Sequence, residues 1–409
     1  MGNSSLGFAF LLLVLEVLFQ PLLVFAKLEL KNSSDTSPFP PNFLFGTASA
    51  AYQYEGAFLT DGKGLNNWDV FTHNSGIYSF AGLSNGDVAV DQYNRYLEYV
   101  DLMASLGLNS YQFSISWARI LPKGIYGSIN YAGIDHHNKL INALRFRVLS
   151  HFDIPDELEQ RYGAWEDFKY YADICFKNFG DRVKYWVTFS EPNVFVIGAY
   201  HTRMFPPSRC SKPFRNCSAG DSEKEPFIAA HNIILAHAAA VKVYKTKYQK
   251  KQGGTIGLTV QIAWYEPLTN STADKLATER AQSFITNWFL DPIVFGRYPK
   301  EMTDILGSTL PTFSRNNMDD LKLGVDFIGL NHYNTLYVGD CLYSSCEFSP
   351  GSTRTEGFIK QTNFKDGIPI GELRGNGVLR SHPPGMEKSV TYIKERYNNI
   401  PIIITENGY

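Results

Sequence analysis

Apolar and polar positions follow two rhythms along this chain. Short, nearly continuous apolar runs lie at Phe43 to Ala48, Ser110 to Ile115, Val148 to Asp153, Tyr185 to Phe189, Thr255 to Trp264, Phe327 to Leu330 and Ile400 to Thr405. Their length and their β-branched and aromatic content predict buried strands. Helical patterns lie between them, among others at Val90 to Leu106, Tyr131 to Leu144 and Pro226 to Tyr248. Strand–helix alternation predicts an α/β fold, a parallel sheet with helices outside it. Polar and aromatic residues gather just after the runs: Tyr52-Gln53, His151-Phe152-Asp153, Ser190-Glu191, Asn331-His332-Tyr333 and Glu406-Asn407. A (β/α)8 TIM barrel places its chemistry at that end of its strands. Seven runs are one short of such a barrel. A doubly wound sheet would carry a glycine-rich phosphate loop after its first strand, and none is present here.

The first segment changes the picture of where the chain acts. Phe8 to Phe25 is almost wholly apolar and ends in Val24-Phe25-Ala26, a small-residue cleavage pattern. Residues 1–26 therefore read as a secretory leader and 27–409 as the working domain. No later run is expected to span a membrane. With 38 basic against 40 acidic residues, the charge balance argues against nucleic acid or an acidic membrane surface as partner. The dense run Lys242, Lys245, Lys247, Lys250 and Lys251, followed by Gly253, reads as a solvated helix end with a glycine stop. Five cysteines suit an oxidising compartment. Cys210 with Cys217, and Cys341 with Cys346, are close enough in sequence to close short bridges, and Cys175 sits in an apolar helix pattern as a buried thiol. No cysteine–histidine spacing suggests a metal. Asn32, Asn216 and Asn270 head glycosylation sequons. The predicted location is the secretory pathway, ending at the cell wall or other extracellular space, or in the vacuole.

Two glutamates carry the chemistry. Glu191 follows the run Tyr185 to Phe189 and precedes Pro192; Glu406 ends the run Ile400 to Thr405. An acid placed directly after a buried strand is held rigidly at a barrel mouth. Two carboxyl groups facing one pocket are what glycoside cleavage requires: one protonates the departing oxygen while the other stabilises or attacks the anomeric carbon.

At these residues the chain resembles family-one glycoside hydrolases, the plant β-glucosidases in particular. Thr188 to Asn193 resembles the TFNEPN motif, Ile404 to Gly408 the ITENG motif, and Phe45 to Gly56 the N-terminal signature. The resemblance runs from about Phe39 to Tyr409. It implies a (β/α)8 barrel, retention of anomeric configuration, O-linked β-glucosides as substrates and no cofactor. It implies Glu191 as acid/base and Glu406 as nucleophile. Gln53, His151 and Ser190 fall at positions that bind the sugar, and Asn331 and Tyr333 at positions flanking the pair. The loop Cys341 to Cys346, with Ser190, is similar to the plant group acting on monolignol glucosides.

Several positions depart from the family. Gln112 stands where arginine is usual, Ser190 where asparagine is usual, and Val378 about where a tryptophan floors the aglycone site. Segments 144–148 and 165–168 look short. Only three residues follow Glu406, so the resemblance predicts a barrel without its eighth strand and the helices after it. A competing expectation follows: an inactive truncated isoform, or a sugar-binding relative without catalysis.

Overall fold

The computed structural model describes residues 39–40, 43–74, 85–124, 127–143, 147–159, 165–374 and 379–407. The apolar leader, Asn32 and Val378 lie outside them. Seven parallel strands form the central layer: β1 (Gly46–Ser49), β2 (Ser110–Phe113), β3 (Arg147–Ser150), β4 (Tyr185–Ser190), β5 (Thr255–Gln261), β6 (Phe327–Asn331) and β7 (Ile402–Glu406). They are hydrogen-bonded as β1-β2 and as β3-β4-β5-β6-β7. Cα atoms of β7 come within 8 Å of β1, and those of β2 within 8 Å of β3. The strands lie in sequence order around a barrel, as the α/β expectation required.

Helices wrap the outside: α1 (Asn67–His73), α2 (Gln92–Ser105), α3 (Tyr131–Ala143), α4 (Trp165–Phe179), α5 (Pro192–Tyr200), α6 (Glu225–Val243), α7 (Thr272–Ile285) and α8 (Pro383–Arg396). The core between α4, α6 and the strands is aromatic. Phe176 meets Trp186 edge-on at 5.0 Å, Phe168 stacks on Phe189 at 4.2 Å, and Cys175 is buried beside them as a free thiol. Burying each such ring is worth roughly 1.5–3 kcal/mol. Neighbouring strands also need small residues: a Cβ on Gly329 of β6 would lie 2.1 Å from Thr259 Oγ1 of β5.

Four details depart from the sequence pattern. Phe43 to Phe45 form an aromatic hook before β1, with the rings of Phe39, Phe43 and Phe45 in mutual contact. Asn109 ties the hook by accepting from Phe45 N at 2.8 Å and donating to Phe43 O at 2.9 Å. The run Thr255 to Trp264 splits, because Ile262 N turns to Asn331 O at the end of β6. Its last residue opens a further strand, Trp264–Pro267, which joins a separate three-stranded sheet with Thr335–Asp340 and Ile359–Thr362. The lysine run ends a helix that stops at Gly253, φ +64°. Three of its lysines are paired rather than merely solvated: Lys242 with Asp320, Lys245 with Asp326 and Lys247 with Asp173. Finally, the helix Glu225–Gln252 is long and apolar enough to cross a membrane. Most of its apolar residues face the barrel, which makes it a core helix.

Candidate active site

Both glutamates sit where the chain leaves a strand. Glu191 N–H donates to Thr259 O at 3.0 Å, continuing the β4–β5 ladder by one residue. The residue then adopts a left-handed conformation, φ 52°, and Pro192 opens α5. Proline suits the first turn of a helix, where its missing N–H costs nothing. A left-handed non-glycine residue costs roughly 1–3 kcal/mol, so the surroundings must hold it. Asn193 does so, donating to Gln261 O at 2.8 Å and accepting from Gln261 N at 3.2 Å. At the other strand end the register shifts between Ile404 and Glu406. There Glu406 O accepts from His332 N at 3.1 Å, and Asn407 Nδ2 donates to His332 O at 2.7 Å.

The end of β6 links the two carboxyl groups. Asn331 Nδ2 donates to Glu191 Oε1 at 2.8 Å, and Asn331 Oδ1 accepts from Thr405 Oγ1 at 2.6 Å. Tyr333 OH donates to Glu406 Oε2 at 2.5 Å. His151 Nδ1 lies 3.9 Å from Glu406 Oε1. Burial pushes the Glu191 carboxyl well above the usual carboxylate range; the nearby Glu406 charge pushes the same way, and the Asn331 amide opposes both. Burial lowers His151, against the pull of Glu406. Burial and then the Glu406 and Glu191 charges raise Tyr333, which remains a neutral donor. Tyr54, raised by burial and by Glu406, shares the field. The arrangement offers one carboxyl group poised to keep a proton beside another held by a phenol. Such a pair can perform acid-assisted displacement.

The structure thus gathers Glu191, Glu406, Asn331, Tyr333 and His151. Ser190 is buried at the end of β4, and its Oγ has no hydrogen-bond partner. Gln53 is half-buried on the one-turn helix Ala51–Tyr54 after β1. Gln112 is buried on β2, opposite Ala48, with its Oε1 unpartnered. Cys210–Cys217 and Cys341–Cys346 are bridged, with Cα atoms 5.3 and 5.4 Å apart. Asn216 and Asn270 are exposed. Among the described residues, no three His, Cys, Asp or Glu side chains converge as metal ligands.

Sequence reasoning missed Thr405, Tyr54 and a buried charge cluster. In that cluster Arg119 Nε donates to Glu55 Oε2 at 3.0 Å, and His137 Nε2 lies 3.6 Å from Glu55 Oε1. Burial opposes ionisation of Glu55, but Arg119 and the histidines outweigh it and lower its pKa to about 2. The available signal was position: Tyr54 and Glu55 directly follow Gln53 in the same strand-end segment.

The glycosyl hydrolase family 1 profile matches residues 35–409. Beta-glucosidase 47 of Arabidopsis thaliana is 54% identical over 390 residues, 92% of this chain and 71% of that protein. Probable inactive beta-glucosidase 14 of Oryza sativa subsp. japonica is 52% identical, over 92% of this chain and 75% of its own length. Coniferin beta-glucosidase of Pinus contorta is 50% identical with the same two coverages. Among solved structures, a rice β-glucosidase mutant in a covalent complex with Glc superposes with a TM-score of 0.85 at 43% identity, covering 90% of this chain and 80% of that one. A match across nearly the whole chain, high identity to several plant enzymes and the shared barrel lead to one conclusion: the chain belongs to glycosyl hydrolase family 1, the glycoside hydrolases that include these plant β-glucosidases.

Proposed function

We propose that the chain is a retaining β-glucosidase acting on O-linked β-D-glucosides of phenolic or phenylpropanoid alcohols. Glu191 gives its proton to the glycosidic oxygen while Glu406 attacks the anomeric carbon and forms a glucosyl ester; the aglycone leaves as the alcohol. Glu191, now a carboxylate, takes a proton from water, which attacks the anomeric carbon, breaks its bond to the Glu406 oxygen and releases β-glucose and the Glu406 carboxylate. Gln53, His151, Ser190, Asn331 and Tyr333 hold the sugar and the two carboxyl groups. The observation that carries this reading is the electrostatic inequality of the pair: Glu191 is driven toward its protonated form and Glu406 is bound by the Tyr333 hydroxyl. The likeness to the pine coniferin β-glucosidase supports the phenylpropanoid aglycone. The two bridges and the apolar leader support a secreted protein, glycosylated at exposed Asn216 and Asn270.

The test is the anomer released first, followed by NMR before mutarotation. β-Glucose is expected; α-glucose as the first product overturns the mechanism. Rates on coniferin against an alkyl β-glucoside test the aglycone class. A sugar-binding protein without turnover is the competing reading. It is supported by Gln112, whose buried Oε1 is unpartnered, and by the relative named as probably inactive. Glucose binding with no hydrolysis of an aryl β-glucoside would establish it.

A further inference from the structure

His151 reaches Glu406 from an unusual backbone. The next residue, Phe152, is left-handed, φ 67°, although it is neither glycine nor asparagine. Such a conformation persists only where the surroundings over-determine it. The opening turn of α1 provides that restraint. Trp68 Nε1 donates to Phe152 O at 3.2 Å and Asn67 Nδ2 to the same oxygen at 3.4 Å. Asn67 also brackets the following residue: Asn67 N donates to Ile154 O at 2.9 Å, and Ile154 N donates to Asn67 Oδ1 at 3.1 Å. Helix α1 is itself fixed by the Asn66–Asp69 capping box and by Lys63 on Asp69 at 2.6 Å. On the inner side, Asp153 Oδ1 accepts from His151 N at 3.4 Å. The Phe152 ring packs on Phe195, from the helix that follows Glu191, and on Phe205.

We infer that Asn67 and Trp68 are positioning residues. They clamp the Phe152 carbonyl, hold the strained 151–153 turn, and so fix the His151 ring at its distance from Glu406. The role of His151 toward sugar rests on the function proposed above; the clamp on its ring does not. The test is a double-mutant cycle on the full chain. Trp68→Phe keeps the ring and removes the N–H donor. It should lower kcat/KM about tenfold in the native background and less than twofold in a His151→Ala background, because misplacement of a sugar-binding group costs rate only while that group is present. Trp68→His, which retains a ring N–H, should recover most of the loss. Equal losses in both backgrounds, or no loss, overturn the clamp. A second reading is independent of activity: the His151 ring resonance, identified by its disappearance in His151→Ala, should shift in Trp68→Phe. An unmoved resonance overturns the inference even if the chain proves not to hydrolyse glucosides. Should Trp68→Phe not fold, Asn67→Ser removes the second donor and enters the same cycle.

Discussion

Glu191 and Glu406 end two strands of one barrel, yet their settings differ. Strand β4 is hydrogen-bonded on both sides, to β3 and β5, and its residues from Trp186 to Ser190 are buried. Strand β7 is bonded to β6 alone among the described residues, and Ile404 in its middle is 41% exposed. The carboxyl groups inherit this contrast: Glu191 is buried, whereas Glu406 is only half-buried and meets a phenol and an imidazole. Identical side chains thus sit at different depths among different neighbours, and the donor and nucleophile roles proposed above rest on that difference.

The sharpest way to test the contrast is to remove each carboxyl group in turn. Glu406→Ala should reduce hydrolysis by roughly four to six orders of magnitude on every substrate, as for other nucleophile deletions. Azide should restore part of the rate by occupying the vacated space. Glu191→Gln should cost about 10²–10⁴-fold on substrates with poor leaving groups. It should spare the first step on activated aryl glucosides and remove the alkaline limb of the pH–rate profile. Equal damage to both substrate classes, measured by initial rates, would break the assignment of the donor.

Smaller effects probe the neighbours. Tyr333→Phe removes one charge-assisted hydrogen bond, worth about 1.5–3 kcal/mol, so kcat/KM should fall about 10- to 100-fold. The raised pKa of Glu191 also has a stability consequence. Its folded pKa exceeds its unfolded one, so folding favours the protonated form. No penalty exists well below the ordinary glutamate range. As pH rises toward the folded pKa, the native protein should lose up to about 1.4 kcal/mol per pH unit relative to Glu191→Gln, and the gap should then level off. Thermal unfolding of the two proteins from pH 4 upward measures this, and a gap that narrows with rising pH contradicts the burial argument. The least effect is expected from Gln112→Met, which replaces a buried amide whose oxygen is unpartnered and should change stability by no more than about 1 kcal/mol.

The barrel was legible because buried parallel strands are nearly continuous apolar runs, and because an ionisable group directly after such a run stands out. Glu191 and Glu406 were found in this way, and the short cysteine spacings marked both bridges. Strand limits were less legible. Phe43 to Phe45 have strand-like composition, but the side chain of Asn109, outside the local pattern, draws them into a hook. Thr255 to Trp264 reads as one run because the Asn331 carbonyl that diverts Ile262 lies far along the chain. The Glu55–Arg119 pair was invisible for a related reason. Charged residues are expected at the surface, and only the fold brings together partners 64 positions apart.

The Asn331 amide has a direction, and that direction distinguishes the two oxygens of Glu191. Its carbonyl accepts from the Thr405 hydroxyl, and its NH2 faces Glu191 Oε1. An N–H donor and a carboxylic O–H cannot point at each other. In the neutral acid, therefore, Oε1 is the carbonyl-type oxygen and Oε2 carries the hydrogen. Proton transfer away from Oε2 leaves the Asn331 contact in place and strengthens it as charge builds on the carboxylate, without any rotation of the side chain. Under the roles proposed above, a threonine hydroxyl on β7, the strand of Glu406, thereby favours the oxygen from which Glu191 donates.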